Sequence, residues 1–167
     1  MGKAIIKEMS GKDIEILYET VRIAHEAFGR GCHPFGALLA DKDGNILIEK
    51  GNNIKDSPCL HAETAVMIEA GKKYSPDFLK DCSLYTNFEP CVMCTGAVYW
   101  TNVGRIVFGL SESQLLELTG DNEENPTFSL KTSEVIEKGQ KDIILVGPTK
   151  DNKLKDAIMK DHLNFWK

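Results

Sequence analysis

The sequence predicts an α/β fold, a three-layer α/β/α sandwich around one mixed sheet. Two observations lead there. Strand-like runs and helical stretches take turns through the middle of the chain, with Ser83–Phe88 running into a helix start at Pro90 and Arg105–Phe108 following that helix. A hairpin signal, Asp43-Gly44 between Ala37–Ala40 and Ile46–Ile48, adds an antiparallel pair. With 167 residues, 42% hydrophobic and 27% charged, the chain has material for one core, so residues 1–167 read as a single domain.

Taken in order, residues 1–12 read as a polar lead-in. Ser10 with Asp13 marks a helix start, and Ile14, Leu17, Val21, Ala24, Ala27 and Phe28 recur at helical spacing until Gly29 and Gly31 stop the run. His25 lies on that helix and His33 just beyond it, and both read as ordinary surface or core histidines. Pro34-Phe35-Gly36 opens the hairpin, and Gly51–Leu60 is a loop carrying Asn52, Asn53, Asp56 and Pro58. A helix from His61 runs through Ile68; Gly71 to Pro76 is expected to break the chain before one more turn at Asp77–Lys80. Near the end, Ile143–Val146 suits a buried strand, and a helix from about Asn152 would turn Leu154, Ile158 and Leu163 inward. The terminal Phe165-Trp166-Lys167 carries two aromatics that need a partner, either core or dimer packing or a bound ligand.

Chemistry concentrates in His61-Ala62-Glu63 and Pro90-Cys91-Val92-Met93-Cys94. Zinc favours tetrahedral sites of imidazole and thiolate, and a catalytic zinc takes three protein ligands with the fourth position left for water. His61, Cys91 and Cys94 make such a set, so Zn2+ is the expected cofactor. Cys91 and Cys94 share a helix face, Pro90 suits a helix start, and a helix N-terminus favours thiolates. Glu63 falls beside the metal without binding it, where a carboxylate can move protons, and is the expected catalytic residue. The competing reading is a structural zinc site in a binding protein, or a chance Cys-x-x-Cys. A structural site calls for a fourth Cys or His, and neither Cys59 nor Cys82 has metal spacing; an acid at Glu63 would also be idle there.

Net charge is −5 and no cluster of basic residues appears, so no extended nucleic-acid footprint is advertised, although a local basic groove stays open. Glu112 to Glu124 holds five acidic residues and no Lys or Arg, an unfavourable surface for phosphates. Five cysteines, no signal peptide and no long apolar run lead to the expectation of a reducing cytoplasm and no membrane partner.

The words His61-Ala62-Glu63 and Pro90-Cys91-Val92-Met93-Cys94-Thr95-Gly96-Ala97 resemble the cytidine/deoxycytidylate deaminase superfamily. Within it the chain is similar to the nucleobase and nucleoside branch of guanine deaminase, fungal cytosine deaminase and tRNA adenosine deaminase. His33-Pro34-Phe35-Gly36-Ala37, Leu84-Tyr85-Thr86-Asn87-Phe88-Glu89-Pro90 and Gly104-Arg105-Ile106-Val107-Phe108-Gly109 support this, over roughly residues 13–110. Residues 111–167 diverge. The resemblance implies a cytidine deaminase-like fold, zinc-dependent hydrolytic deamination of a ring with release of ammonia, and a homodimer, for which the helices after Cys91 could supply a face. It also implies substrate contacts: Asn53, with Asn52 as alternative; Phe35 at the mouth of a base pocket; Glu89 near the leaving ammonia or the base; and Trp166 in an aromatic lid. Asp121 and Glu124 are candidates to accept from the N–H donors of guanine. The spacing to His61 is shorter than the family's, and Cys59-Leu60 stands where Thr-Ala is usual. The Asp-x-Lys-x-Gly pattern of the tRNA enzymes is replaced by Leu110-Ser111-Glu112-Ser113-Gln114. Guanine or a related aminopurine is thus the first expected substrate, cytosine the second, and adenosine in tRNA the third.

Overall fold

The computed structural model describes residues 1–166. In chain order the elements are β1 (Ala4–Ile6), α1 (Gly11–Gly29), β2 (Gly36–Ala40), β3 (Ile46–Gly51), α2 (Ala62–Lys73), α3 (Pro76–Leu79) and β4 (Ser83–Phe88), then α4 (Val92–Thr101), β5 (Arg105–Leu110), α5 (Glu112–Thr119), α6 (Thr132–Glu137), β6 (Ile143–Val146) and α7 (Asn152–Met159). The strands form one six-stranded sheet in the order β1-β6-β5-β4-β2-β3. Strands β4, β5, β6 and β1 run parallel, and β2 is antiparallel to both its neighbours. The sheet is mixed because a hairpin has been added to a strand-helix-strand series.

Successive strand residues point to opposite faces, and both faces are covered. On one side Ala37, Leu39, Leu84, Ile106 and Leu145 pack with Val66, Met67 and Ala70 of α2, Val98 of α4 and Ile136 of α6. On the other, Leu38, Tyr85, Val107 and Val146 pack with Ile16, Leu17 and Ile23 of α1, Leu115 of α5 and Leu154 and Ile158 of α7. This is the expected three-layer sandwich. Each fully buried leucine, such as Leu17, Leu38 or Leu39, contributes roughly 1.5–3 kcal/mol.

Helix α1 begins where expected. Ser10 Oγ accepts from the Asp13 N–H and Asp13 Oδ2 accepts from the Ser10 N–H, both at 3.0 Å, a reciprocal cap. The buried stripe runs through Asp13, Ile16, Leu17, Thr20, Ile23, Ala24 and Ala27, so Ile14 and Val21 are only partly buried and Phe28 is exposed. Asp13 is drawn inward by Arg105 Nη2 and the Tyr85 hydroxyl, each 2.7 Å away, which turns the helix from the face that apolar spacing alone marks. Gly36 lets α1 lie directly on the start of β2: a Cβ there would stand 2.3 Å from the Thr20 carbonyl oxygen. Phe35 is thereby fixed at the edge of the sheet.

Three expectations need correction. Within residues 1–12, Ala4–Ile6 form β1 and pair parallel with β6, a strand too short to show a pattern. Helix α2 runs through Gly71 to Lys73, because burial of Met67 and Ala70 outweighs the cost of about 1 kcal/mol of one helical glycine. Leu163 is 62% exposed, since α7 ends at Met159 and the turns that follow bring His162 inward in its place. Among the described residues no helix is long and apolar enough to cross a membrane.

Candidate active site

His61 and Cys91 are the N-cap residues of α2 and α4, and Cys94 lies one turn into α4. Both helices start at the edge of the sheet where the parallel strands β4 and β5 end, the usual place for a site in such a sheet. Cys91 Sγ stands 3.6 Å from His61 Nδ1; Cys94 Sγ stands 3.7 Å from both Cys91 Sγ and His61 Nδ1. Two Zn–S bonds of about 2.3 Å and one Zn–N bond of about 2.0–2.1 Å at tetrahedral angles require donor separations of about 3.6–3.8 Å. The three donors therefore fit a zinc ion. Cys91 is drawn down to about 4, first by the hydrogen bond from Cys94 and, against burial, by His61. Cys94, fully buried, is pushed up by that same bond and by burial, and Thr64 Oγ1 donates to its sulfur at 3.2 Å.

Glu63, in the first turn of α2, is 5% exposed. Its Oε2 lies 3.7 Å from Cys94 Sγ, and its Oε1 lies 2.8 Å from Thr86 Oγ1. Thr86 also reaches the Phe88 carbonyl oxygen at 2.9 Å, so its single proton has a choice of two acceptors. Burial, the largest influence, pushes the Glu63 carboxyl above its ordinary value. A carboxyl held this way beside three metal donors is placed to take up and release a proton.

The cluster lies in a cavity of about 480 Å³ whose wall includes His33, Phe35, Asn52, Phe88, Glu112 and Glu124, and no Lys or Arg. A roomier surface groove of about 730 Å³ holds none of the three donors. Phe35 lines the cavity as expected, its ring 5.6 Å from that of Phe88 at 79°. Asn53 does not: its side-chain amide donates to Asp56 Oδ2 at 2.6 Å and it borders the other groove. Asn52, 2% exposed, occupies the cavity wall, because its N–H bonds the Phe35 carbonyl and extends the β2–β3 ladder by one residue. Its Oδ1 accepts from the Ile54 N–H, while its Nδ2 has no partner among the described residues.

Glu89 reaches the cavity wall, but both its oxygens are engaged, Oε2 by the Glu112 N–H at 3.0 Å and Oε1 by the Thr132 N–H at 2.9 Å. Trp166 is not among the lining residues. It stands behind the wall, its ring 4.9 Å from His33 and 6.1 Å from Phe35, with Nε1 donating to His162 Nδ1 at 3.1 Å. The aromatic end of the chain therefore buttresses the cavity in this conformation; Lys167 lies outside the described residues. Of the two candidate acids after β5, Asp121 is exposed and away from the cavity, whereas Glu124 lines it and accepts from or donates to His33 Nε2 at 2.9 Å.

Glu112 and His162 escaped the sequence reading as site residues, and His33 was read there as an ordinary surface or core histidine. His33 is 3% exposed and pairs with Glu124 across the cavity mouth. His162 is 2% exposed, and its Nε2 meets the Pro34 carbonyl oxygen at 2.7 Å. Glu112 had one available signal: it stands two residues past the end of β5, at the carboxyl end of a parallel strand.

A buried carboxyl beside a His/Cys/Cys cluster, in a three-layer mixed sheet, is the arrangement of a hydrolase of the deaminase class. The chain belongs to the cytidine and deoxycytidylate deaminase family, whose zinc-binding region matches residues 11–110. It is 33% identical to a probable cytosine deaminase of Schizosaccharomyces pombe over 95% of either chain. It is 37% identical to the guanine deaminase of Bacillus subtilis over 64% of this chain and 69% of that one. A solved guanine deaminase of Nitrosomonas europaea shares the fold, with a TM-score of 0.69 over 95% of this chain and 86% of that one at 22% identity.

Proposed function

We propose that the protein is a zinc-dependent hydrolase that removes an amino group from a free nucleobase or nucleoside, guanine or a related aminopurine before others. The observation that carries this is Glu63, buried 3.7 Å from Cys94 Sγ in a cavity whose wall has no Lys or Arg. A phosphorylated or polymeric substrate would meet no Lys or Arg there, and the carboxyls of Glu63, Glu89, Glu112 and Glu124 instead. The likeness to the guanine deaminase of Bacillus subtilis supports the purine. Cytosine is the second reading, favoured by the fungal relative that spans almost the whole chain; adenosine in tRNA comes third.

His61, Cys91 and Cys94 would hold the zinc. When bound, zinc lowers the pKa of water toward neutrality and so supplies the nucleophile. Glu63 would carry one proton of the attacking water to a ring nitrogen and, after addition, the second proton, from the new C–OH, to the departing amine. The balance is one water consumed, one exocyclic C–N bond broken, one C=O formed and one ammonia released. Thr86 steadies Glu63 Oε1, Asn52 offers Nδ2 to an acceptor on the base, and Phe35 and Phe88 face the ring with apolar surface that excludes water. Two copies would associate through α4, where Trp100 is 81% exposed.

Ammonia release from the zinc-loaded protein tests this on guanine, guanosine, 2-aminopurine, cytosine, adenine, adenosine and a tRNA anticodon stem-loop, with Glu63→Ala in parallel. Turnover of a base or nucleoside that disappears in Glu63→Ala is the expected result. Turnover of the stem-loop alone would overturn the small-molecule substrate, and turnover by Glu63→Ala would remove Glu63 from its role.

A further inference from the structure

Glu112 opens α5 and is 6% exposed. A glutamate in the first turn of a helix ordinarily serves the helix, by its charge or as a cap. Here other groups do that work. Ser111 Oγ accepts from the Gln114 N–H at 3.2 Å, Gln114 Oε1 accepts from the Ser111 N–H at 2.8 Å, and Glu89 accepts from the N–H of Glu112 itself.

The Glu112 side chain turns instead into the wall of the cavity that holds Glu63 and Asn52, and has no hydrogen-bond or ion-pair partner among the described residues. The residue is withdrawn from bulk water while its unpartnered carboxyl stays accessible from the cavity, where a ligand can meet it. Burial above all, with the charges of Cys91, Glu63 and Glu89, pushes this carboxyl up to about 9. In its neutral form it carries an O–H donor and a C=O acceptor side by side.

We propose that Glu112 is a specificity-determining residue that pairs with a lactam edge of the substrate, a ring N–H next to a ring C=O. This rests on the deaminase function proposed above and narrows its substrate class. Guanine presents such an edge at N1 and C6, and cytosine at N1 and C2; adenine has none. The carboxyl accepts from the N–H and donates to the carbonyl, two hydrogen bonds in one plane that an oxo-amino base completes together. An adenine ring in the same place would leave it unpaired, which is how a polar site rejects an analogue.

The test uses the full zinc-loaded chain, as wild type, Glu112→Gln and Glu112→Leu, with zinc content and thermal melting measured on each. Steady-state kinetics compare guanine with 2-aminopurine and cytosine with 4-aminopyrimidine; each analogue keeps the leaving amino group and lacks the carbonyl. Glu112→Leu is expected to raise KM for the preferred base at least about tenfold, with a smaller change in kcat, and to lower the base-to-analogue ratio of kcat/KM at least about tenfold. Glu112→Gln, which also sets a donor beside an acceptor, is expected to keep that ratio within about threefold of wild type. An unchanged ratio in Glu112→Leu, or its loss in Glu112→Gln, overturns the assignment of Glu112 and leaves the deaminase function standing. Wild-type silence toward both bases overturns the substrate class and the assignment together. If Glu112→Leu loses zinc or melts early, Glu112→Ala is read in its place by the same criteria.

Discussion

The carboxylate of Glu89 accepts the backbone N–H of Thr132 at 2.9 Å, and through its other oxygen the N–H of Glu112. One side chain thus closes the N-termini of α5 and α6, whose first N–H groups have no partner within their own helices. Pro90 and Cys91 follow directly, so the same carboxylate fixes the approach to the metal donors. Glu89→Ala leaves two buried donors unsatisfied and is expected to cost roughly 3 kcal/mol, or about 6–12 °C in Tm. Glu89→Gln keeps one acceptor and should lose about half as much. Thermal denaturation followed by circular dichroism measures both, and a melt of Glu89→Ala within 2–3 °C of wild type, roughly 1 kcal/mol, would contradict the double tie.

The reach of the sequence can be judged at individual residues. His61, Glu63, Cys91 and Cys94 were legible because each sits within a turn of a helix start, and a spacing of three puts Cys91 and Cys94 on one face. The choice between Asn52 and Asn53 was not. It depends on whether the β2–β3 ladder stops at Gly51 or gains one more hydrogen bond, and a shift of one residue exchanges the two faces of a strand. Trp166 was visible as an aromatic in need of a partner, yet its partner, His162, reaches it only because the turns after α7 fold back. Glu112 carried the ordinary mark of a residue in a first helical turn. Its burial follows from where α5 docks, which no local pattern records.

Thr86 stands on the same face of β4 as the core residue Leu84 and points at Glu63 Oε1 from 2.8 Å. Valine has the same shape and no hydroxyl. Thr86→Val is therefore expected to lower kcat about tenfold, near the value of one hydrogen bond to a charged group, with zinc content unchanged. Single-turnover kinetics beside a metal assay decide this. Equal kcat would show that Glu63 needs no such support.

One zinc per chain is expected, and the donors are not interchangeable with oxygen. Cys91→Ser replaces a thiolate drawn down to about 4 by a hydroxyl that stays protonated, and should lower zinc content and turnover together, the latter by at least about a hundredfold. Removal of zinc by a chelator should reproduce the loss, and added zinc should restore it. Glu63→Ala should separate the two quantities, keeping zinc and losing turnover.

The start of α1 is pinned to the sheet by a part-buried ion pair, the buried Asp13 Oδ2 to Arg105 Nη2 at 2.7 Å, with Tyr85 donating to Oδ1. Burial pushes the Asp13 carboxyl up, but Arg105, the Ser10 N–H and Tyr85 together hold it below its ordinary value. Arg105→Met leaves the carboxylate buried without its countercharge and should cost about 3–5 kcal/mol. The double substitution of Asp13→Leu with Arg105→Met should cost less than that single change, and denaturant titrations of the three variants make the comparison.

His162 gives the protein an acid-sensitive joint. Its Nε2 donates to the Pro34 carbonyl oxygen at 2.7 Å and its Nδ1 accepts from Trp166 Nε1, so the ring is held neutral. Burial, the leading cause, lowers it from an ordinary 6.5 to about 4. Between those values the unfolded chain binds a proton that the folded chain refuses, so stability falls as pH drops from 6.5 to 4 and is fully present above 6.5. The loss approaches about 3 kcal/mol at the lower limit and stops growing below it, where both states are protonated. A proton on Nδ1 also removes the acceptor for Trp166, so the indole should leave His33 and Phe35 in the same interval. Trp100 is already 81% exposed, and a Trp100→Phe background makes Trp166 the sole reporter of that movement by fluorescence. His162→Gln keeps a donor and an acceptor and has no proton to gain. Its emission should stay flat from pH 6.5 to 4, and a shift as large as that of the parent would place the sensitivity elsewhere.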